Sequence, residues 1–581
     1  MSNKRVSRFL QYLMIISAVM AFIGWFNYDG INNIGDAIWS AFYKTLKTFI
    51  FETGFDTLPV PVVLQIAVYL APLSLAGVLV YTAFSKVQEQ FTSLTFRLLR
   101  REHVIIVGPP NFCLDFLYGY LPKTSGPILF MLPPDSRQSV PERLLAYPII
   151  FADPSHSISW KRCGVSNAES AIVSLPSADE MQVVRDYVEK LRKGIKRKFL
   201  LHFSLESLSQ ARFFSRSSLF SDNEYFYVEG FNLQHMAALQ AIEEYAPHFT
   251  VPLEILTKEA PHLVIDGFNE YAKWFIVEAA QLYHYPSLRK IHISLICDEQ
   301  EQVMRFLQQQ PGIYETVELS VINRGEIFSK FNLASGTIFF ENASDPYAIF
   351  VLPGDLWEIP DQLRRWRRYL SLCHDNEYYS TQLHLFLPTG LKDPMFYKEQ
   401  LREYSRLDFY THSIFEFINL KRFLDNRQLI DGIAEKIHSK YVQAHDAPHW
   451  LKLNDAEKEM NRRSARHLKI KLYFAGYELS DDMELPYLEI PEFSQSQIHM
   501  FAEVEHHRWV AEKFLDGYIP GSAAGGREVD EYLKKVLLIH KDIRPFNELN
   551  QIDISKDEET FADLQNILKA VLSFKRLVKI S

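Results

Sequence analysis

Residues 103–121 read HVIIVGPPNFCLDFLYGYL, and this stretch decides the fold. An apolar run over residues 104–107 predicts a strand, which meets Gly108 and is followed by a helical pattern. Further apolar runs predict strands at 127–131, 149–151, 171–175 and 199–202, and helical stretches such as 178–193 lie between most of them. Strands that alternate with helices indicate a parallel sheet covered on both faces, so the predicted fold class is α/β.

A second unit of the same kind begins at residues 262–282, HLVIDGFNEYAKWFIVEAAQL. Its first strand leads to Gly267 and then to a long amphipathic helix, and further strands are predicted at 291–297, 317–323 and 337–342. We therefore expect an internal duplication, with one Rossmann-like domain over residues 101–255 and another over residues 256–428.

The composition excludes several classes of protein. The chain has 581 residues, a net charge of −9, 47% hydrophobic and 23% charged residues. This argues against a strongly basic nucleic-acid binder and limits any membrane part to a small fraction of the chain. The four cysteines form no C-x-x-C pair, which argues against a disulfide scaffold and fits a reducing compartment. Because no H-E-x-x-H, G-x-S-x-G or Walker lysine occurs, we expect neither a metal site nor an enzyme.

Two charge-free stretches near the N-terminus, residues 9–28 and 57–85, are long enough to cross a bilayer. We predict spanning helices at about 9–27 and 62–84, within a transmembrane region of residues 1–100. The alternative for the first is a secretory signal peptide, but no small-residue cleavage site follows it. Lysines and arginines outside this pair of helices outnumber those between them, which predicts a multi-pass protein of the inner (cell) membrane with both termini cytoplasmic.

The loop between the two predicted spans carries an amphipathic helical pattern over about residues 36–52, with Trp39, Phe42 and Leu46 among the apolar residues of one face. Such a pattern is typical of an interfacial helix or of a pore helix that enters the bilayer from outside. The T-V-G-Y-G run of potassium filters is absent. A pore of some kind and a plain two-helix anchor both stay open.

Residues 149–184, IIFADPSHSISWKRCGVSNAESAIVSLPSADEMQVV, carry a more specific pattern. A strand ends in Ala152-Asp153, a helix and a Gly164-Val165 turn follow, and an acidic-small-small step leads into the next strand. This pattern resembles the TrkA-N or RCK domain, which regulates potassium conductance. The resemblance covers about residues 101–215 and implies a Rossmann fold that binds NAD or another nucleotide.

The glycine motif of the first unit departs from G-x-G-x-x-G, in which glycines let the backbone approach a pyrophosphate at a helix N-terminus. Gly108, Pro110 and Cys113 stand at the three positions, and Pro109 and Pro110 lack backbone N–H donors. We therefore expect the first unit to be mainly a structural scaffold.

The second unit departs less from that motif, with Gly267, Asn269 and Ala272 at the three positions. Alanine is acceptable at the third position, but asparagine adds bulk at the second. Asp298, after the second strand, is a candidate to face a ribose, and the alternative is a solvated strand end. A nucleotide is favoured here over the first unit, although a structural scaffold is the preferred interpretation of both.

Past residue 428 the composition changes, and residues 429–575 predict a mostly helical module. Three ordered strings stand out, namely NRRSARHLKIKLYFAGYEL at 461–479, FAEVEHHRWVAEKFLDGYIPG at 501–521 and a third at 539–568 that opens with IHKDIRPFNEL. Together they resemble the RyR repeat domain, first named from ryanodine receptors and found in prokaryotic proteins.

This resemblance and the side-chain chemistry predict a ligand site made of seven residues, namely Asn461, Arg462, His467, His506, Trp509, Lys513 and Tyr518. His506, Trp509 and Lys513 share one helical face. Aromatic rings offer flat surfaces to a base, while arginine and lysine donate to phosphate, so the set suits a nucleotide-type small molecule. The alternative is structural, with Trp509 in the core and Glu505 paired with Arg508 or Arg462.

The order of these parts resembles that of a group of bacterial membrane proteins. It implies a ligand-gated, channel-like effector and likewise suggests a role in stress or anti-phage signalling. A pore would require a homo-oligomer of at least a symmetric dimer. The alternatives are a regulated potassium-transport protein of the RCK type and a ligand-binding membrane scaffold without a pore.

Overall fold

The computed structural model describes most of the chain, namely residues 3–28, 34–50, 52, 54–55, 60–120, 127–207, 210–211, 213–214, 225–325, 345–355, 357–372, 381–387, 399, 401, 409–413, 429–439, 442, 449–480, 482–525, 528–562, 567–569, 572 and 575–580. It divides into two compact units, one of Met1–Leu117 with Ser125–Leu201 and one of Tyr118–Thr124 with His202–Ser581. The four domain boundaries given above stay predictions.

The helices of the first unit begin near the N-terminus and continue between the strands of a sheet. They are α1 (Asn3–Tyr28), α2 (Ile34–Thr48), α3 (Val62–Leu98), α4 (Pro110–Tyr120), α5 (Ser157–Arg162) and α6 (Ala178–Arg192). The helices that follow in the chain are α7 (Leu233–Glu244), α8 (Leu253–Leu256), α9 (Glu270–Leu282), α10 (Gln300–Gln309), α11 (Gly312–Thr316), α12 (Ile359–Leu372), α13 (Asp455–Phe474), α14 (Gln495–Leu515), α15 (Glu531–Lys535) and α16 (Gln551–Ala562).

The first sheet has the strand order β3-β2-β1-β4-β5-β6. Its strands are β1 (Val104–Val107), β2 (Ile128–Leu132), β3 (Ile149–Phe151), β4 (Ser170–Ser174), β5 (Phe199–Ser204) and β6 (Phe226–Phe231). The pairs β1–β2, β1–β4 and β2–β3 are parallel. Every residue of β1 and β2 is buried, as expected for strands covered on both faces.

The second sheet has the order β12-β11-β10-β7-β8-β9 and is parallel throughout. Its strands are β7 (His262–Asp266), β8 (Ile291–Cys297), β9 (Val317–Asn323), β10 (Ala348–Val351), β11 (Gln382–Leu387) and β12 (Tyr410–Ser413). Counted from its own first strand, each sheet has the order 3-2-1-4-5-6 of doubly wound nucleotide-binding folds. The predicted α/β class with two Rossmann-like sheets is therefore confirmed.

The sequence located most of these strands but not all of them. Strands β6, β10, β11 and β12 were not predicted, and the expected strand at 337–342 lies outside the described residues. Four short strands complete the list, namely β13 (Tyr477–Ser480), β14 (Ile519–Pro520), β15 (Ile539–His540) and β16 (Arg576–Lys579), which pair β13 with β16 and β14 with β15.

Two helical segments, Phe9–Tyr28 of α1 and Val62–Val80 of α3, are long and apolar enough to cross a membrane. They pack on each other through Ala21, Trp25, Leu64 and Ala67, while large apolar side chains such as Tyr69, 76% exposed, face outward. Small residues at such contacts let helix backbones approach closely, as is typical of membrane helices.

Helix α2 turns its small side chains inward. Ala37, Ala41, Thr45 and Thr48 are buried, and the Trp25 indole donates to Thr48 Oγ1 at 2.8 Å. The large apolar residues of the predicted face point outward instead, with Trp39 73% exposed. The amphipathic helix is thus present, but its larger side chains do not make its contact with α1.

Helix α3 continues beyond its apolar half and packs against the first sheet and α5. Ser93 Oγ donates to the Arg162 carbonyl at 2.8 Å, and Asn167 Nδ2 donates to the Arg97 carbonyl at 2.8 Å. Gly164, at φ +67°, lies so close to the Phe96 carbonyl that a Cβ there would come within 2.4 Å of the oxygen. One helix therefore carries both the second apolar segment and a close contact with the Rossmann-like domain.

Candidate functional site

Helices α13 and α14 position most of the predicted ligand residues, and both begin with capping boxes. Asn454 and Glu457 bond reciprocally at the start of α13, as do Ser494 and Gln497 at the start of α14. Leu468, Leu472, Phe501 and Ala502 join the apolar core between these helices. The helix ends and one apolar face thereby fix the direction of the polar faces.

Four side chains form what we call the aromatic cluster, namely Trp509, Lys513, Tyr518 and His540. The Lys513 ammonium lies 5.6 Å from the Trp509 ring centroid and 4.9 Å from that of Tyr518, within range of cation–π attraction. The His540 ring lies edge-on to Trp509 at 4.9 Å. The spacing that put Trp509 and Lys513 on one helical face thus does bring them together.

Lys513 is the unusual member of the cluster, because its side chain is buried while its charge has no ionic partner in the part of the chain that the structure describes. The residue is 7% exposed, its ammonium donates to Met460 Sδ at 3.3 Å, and no carboxylate of the described residues lies within 4.0 Å of it. Burial lowers the pKa of Lys513, and the charges of Glu512 and Asp516 oppose that shift. The cluster therefore presents a cation that an anionic ligand would neutralise.

The two histidines beside Trp509 differ in their roles. His506 hydrogen-bonds the Arg544 carbonyl at 2.9 Å, and its ring lies 5.7 Å from that of Trp509. Burial, followed by the charges of three lysines, Lys534, Lys513 and Lys541, lowers the pKa of His540 to about 4. His540, which was not among the predicted site residues, thus has a pKa lowered first by burial and then by these lysines.

Three predicted ligand residues lie elsewhere in contacts of their own. Arg462 binds Asp431 at 2.6 Å, and Asn461 donates to the Glu457 carbonyl of its own helix. His467 is fully buried and hydrogen-bonds the His284 carbonyl at 3.0 Å, just beyond α9. The structure therefore brings Trp509, Lys513, Tyr518 and His506 together, and it does not bring Asn461, Arg462 or His467 to them.

The other face of α14 carries a buried ionic network. Arg508 bonds both Glu505 at 2.8 Å and Glu512 at 2.7 Å, and from α13 Lys471 bonds Glu505 while Arg463 bonds Glu512. Burial alone would raise the pKa of Glu505, but Arg508 and Lys471 outweigh it and hold that pKa well below its usual value. The sequence-based alternative that paired Glu505 with Arg508 describes this face.

The backbone of Leu352 occupies the space next to Gly267 in the glycine turn of the second sheet. Gly267 adopts φ +116°, and a Cβ there would lie 2.1 Å from the Leu352 carbonyl oxygen, so this glycine serves a close backbone contact. Asn269 caps α9 by accepting from the Ala272 amide at 3.2 Å, which uses a donor that a phosphate would need. Ala272 is fully buried in the helix.

A sheet-edge cluster, made of Asp266, Asp298, Arg324 and Trp366, closes the carboxyl end of the same strands. Asp266 is 1% exposed, bonds Arg324 at 3.1 Å and accepts from the Trp366 indole at 2.8 Å. Arg324 also reaches Asp298 at 3.4 Å. Burial raises the pKa of Asp266, and Arg324 and Trp366 oppose that shift. Asp298, the aspartate considered as a ribose contact, thus pairs with Arg324 of the same chain.

In the first unit the corresponding turn has proline at residues 109 and 110, which lack backbone N–H donors. Helix α4 begins at Pro110, and Cys113 is fully buried with its thiol 3.6 Å from the Gly108 carbonyl. Among the described residues, no group of three or more histidine, cysteine, aspartate or glutamate side chains is arranged to hold a metal ion.

No protein-family model and no curated protein matches the chain. Among solved structures, GsuK bound to ADP is 11% identical, with 72% of this chain and 96% of that chain covered and a TM-score of 0.31. The GsuK RCK domain is 12% identical, with coverages of 57% and 78% and a TM-score of 0.33. The human SLO3 gating ring is 9% identical, with coverages of 57% and 85% and a TM-score of 0.34. These likenesses concern the fold alone, and the RyR-like module stays a prediction.

Proposed function

We propose that this chain is a membrane-anchored effector whose cytoplasmic part binds a nucleotide-type small molecule and acts on the membrane segment through α3. The observation that carries the proposal is the continuity of α3 over 37 residues, from the apolar segment at Val62–Val80 to Leu98. At 1.5 Å per residue the helix is about 55 Å long, and it stays helical through Pro72 in its apolar half, so one helix joins the predicted bilayer segment to the first sheet.

The contacts at the far end of α3 support a mechanical role. The backbone of Phe96 packs on Gly164, and Ser93 bonds the last residue of α5, so a displacement of the sheet moves the helix with it. Packed interfaces of this kind switch between discrete arrangements and do not deform continuously. The end of α3 that lies in the predicted bilayer segment is then displaced as well.

The aromatic cluster is the proposed ligand site. Trp509 and Tyr518 offer flat rings to a base, and Lys513, near His540, offers a phosphate a cation that pairs with no carboxylate of the described residues. Coupling requires that the ligand bind one state more tightly than the other. A differential affinity of about a hundredfold, or about 2.7 kcal/mol, suffices to shift a two-state equilibrium by the same factor.

We further propose that both termini are cytoplasmic, that the protein forms homo-oligomers and that it is not an enzyme. Lys4, Arg5 and Arg8 precede the first apolar helix, and Arg97, Arg100 and Arg101 follow the second, as the positive-inside rule requires. Turnover of a nucleotide by the purified protein would contradict the last of these statements.

The test uses the full chain in liposomes loaded with an ion-sensitive dye. A thermal-shift screen against nucleotides and NAD derivatives first selects a ligand, since occupancy at one hundred times Kd stabilises the folded state by about 2.7 kcal/mol. We expect this ligand to cause ion flux. Gln90→Pro should abolish the flux and keep the thermal shift, because proline breaks α3 at an exposed position, whereas Gln90→Ala should keep both.

Three outcomes would redirect the proposal. Full flux in Gln90→Pro would show that α3 does not transmit the signal. Tight binding without flux in the wild type would favour the scaffold without a pore. Potassium-selective flux would favour the regulated potassium-transport alternative.

A further inference from the structure

One carboxylate of α3 lies in a cradle of donors from the first sheet. Glu89 accepts from Arg162 at 2.7 Å, from Arg137 at 2.8 Å and from the backbone amide of Phe151 at 3.2 Å. The two arginines come from α5 and from the turn after β2. Three donors from three segments thus surround a single oxyanion.

We call the donors of Arg137, Arg162 and the Phe151 amide the cradle. It lies at the carboxyl ends of the strands, where parallel sheets bind ligands. Phe151 is the last residue of β3, and Arg137 follows the end of β2 by five residues, so both lie at carboxyl ends of parallel strands. The Arg137 guanidinium covers the Phe151 ring at 4.3 Å from its centroid, which holds its donors toward the same point.

The charges of the cradle are not balanced. Glu89 is the only described carboxylate within 4.0 Å of Arg137 or Arg162, so one negative charge faces two guanidinium groups. A phosphate dianion would neutralise both and accept more hydrogen bonds than a carboxylate. The side chains of Arg137 and Arg162 are 55% and 34% exposed, against 15% for Glu89, so an anion can reach the arginines from solvent.

We infer that Arg137, Arg162 and the Phe151 amide form a binding site for a soluble phosphate-class anion, which Glu89 covers in this state. A phospholipid headgroup is the other source of that chemistry. Glu89 lies nine residues beyond Val80 and five beyond residue 84, where the predicted span ends, or about 14 Å and about 8 Å along α3, so the nanodisc competition described below distinguishes the two sources.

Occupancy of the site would displace Glu89 and free this part of α3 from the sheet. Only that consequence rests on the proposed function, because binding to the cradle is measured without any membrane response. The inference and the proposed function can therefore fail separately.

The test titrates the full chain in detergent with inorganic pyrophosphate by calorimetry. Glu89→Gln removes the competing charge and keeps the side-chain shape, so we expect pyrophosphate to bind about tenfold more tightly than to the wild type. The double variant Glu89→Gln, Arg162→Met should lose that gain. The matched control is Glu102→Gln, which frees a single exposed arginine, Arg197, and should change nothing.

An affinity unchanged in Glu89→Gln, or a gain that survives Arg162→Met, would overturn the inference. If Glu89→Gln fails to fold, Arg137→Met in the wild-type background provides the test. Arg137→Met should weaken pyrophosphate binding about tenfold, whereas Arg197→Met should leave it unchanged. Equal effects of the two substitutions would overturn the proposed site. Competition by nanodiscs with anionic phospholipid, but not by neutral ones, would overturn the assignment to a soluble anion.

Discussion

The sheet-edge cluster and the aromatic cluster are both places where a nucleotide was expected, and they differ in whether their charges are satisfied. At the sheet edge, Asp266 and Arg324 bind each other and the glycine turn packs on Leu352. In the aromatic cluster, Lys513 is buried between rings with no carboxylate partner among the described residues. A ligand gains little where the protein already supplies the counter-charge, and it gains most where the protein bears an uncompensated one.

The largest effect is expected from Arg324→Met, which tests whether Arg324 supplies the counter-charge of buried Asp266 in the sheet-edge cluster. The substitution leaves Asp266 buried without its cation and should lower the free energy of unfolding by about 3 kcal/mol, as measured by urea denaturation. Arg305→Met is the control, because its pair with Glu301 is 71% and 79% exposed and should contribute nothing measurable. Equal free energies of unfolding for the two variants would show that the Asp266–Arg324 pair does not stabilise the fold, and the sheet-edge cluster would then not differ from the aromatic cluster in this respect.

The next effect concerns the ligand, titrated as ADP or as the nucleotide with the larger thermal shift. Trp509→Ala should weaken its binding about thirtyfold, or about 2 kcal/mol, since stacking of one base on an aromatic side chain is worth about 1–3 kcal/mol. Trp357→Ala removes an indole that is 88% exposed and should leave Kd unchanged. Binding that survives Trp509→Ala but is lost in a Gly267 variant would move the ligand to the second sheet.

A pH dependence sharpens the same comparison. The pKa of His540 is about 4, so the imidazole is neutral at pH 7. A bound anion favours the protonated ring, so binding takes up a proton and affinity rises as pH falls. If the ligand restores the pKa to about 6.5, Kd falls about tenfold between pH 7.5 and pH 5.5. The slope should vanish in His540→Gln, and a slope that persists there would assign the proton to another group.

Patterns among residues close in sequence were enough to predict several strands, the apolar helices and one shared helical face. Strands β1 and β7 are buried throughout, carry apolar runs of four and three residues, and are each followed by a glycine, which sufficed to predict two parallel sheets. The two apolar helices and the shared face of Trp509 and Lys513 likewise follow from residues close in sequence.

What the sequence did not reveal depends on contacts between distant residues. Arg324 is 58 residues from Asp266, and no local pattern pairs them. His467 lies on the same helix as residues that were assigned to a ligand, yet it is fully buried and hydrogen-bonds the His284 carbonyl just beyond α9, which only the tertiary packing decides. The asparagine at 269 is explained by its capping bond, and a cap preceding a helix is a signal that the sequence did offer.

The smallest effect has the opposite sign to the first and tests the aromatic cluster from the side of stability. Lys513→Met removes a buried charge that no described carboxylate pairs and fills the same space, so the ligand-free protein should become more stable by about 1 kcal/mol while ligand affinity is lost. Lys534→Met, at an exposed position in α15, is the control and should not change the free energy of unfolding. A destabilised Lys513→Met would mean that the ammonium holds the fold through its two rings and Met460, and that the cluster is as well satisfied as the sheet edge.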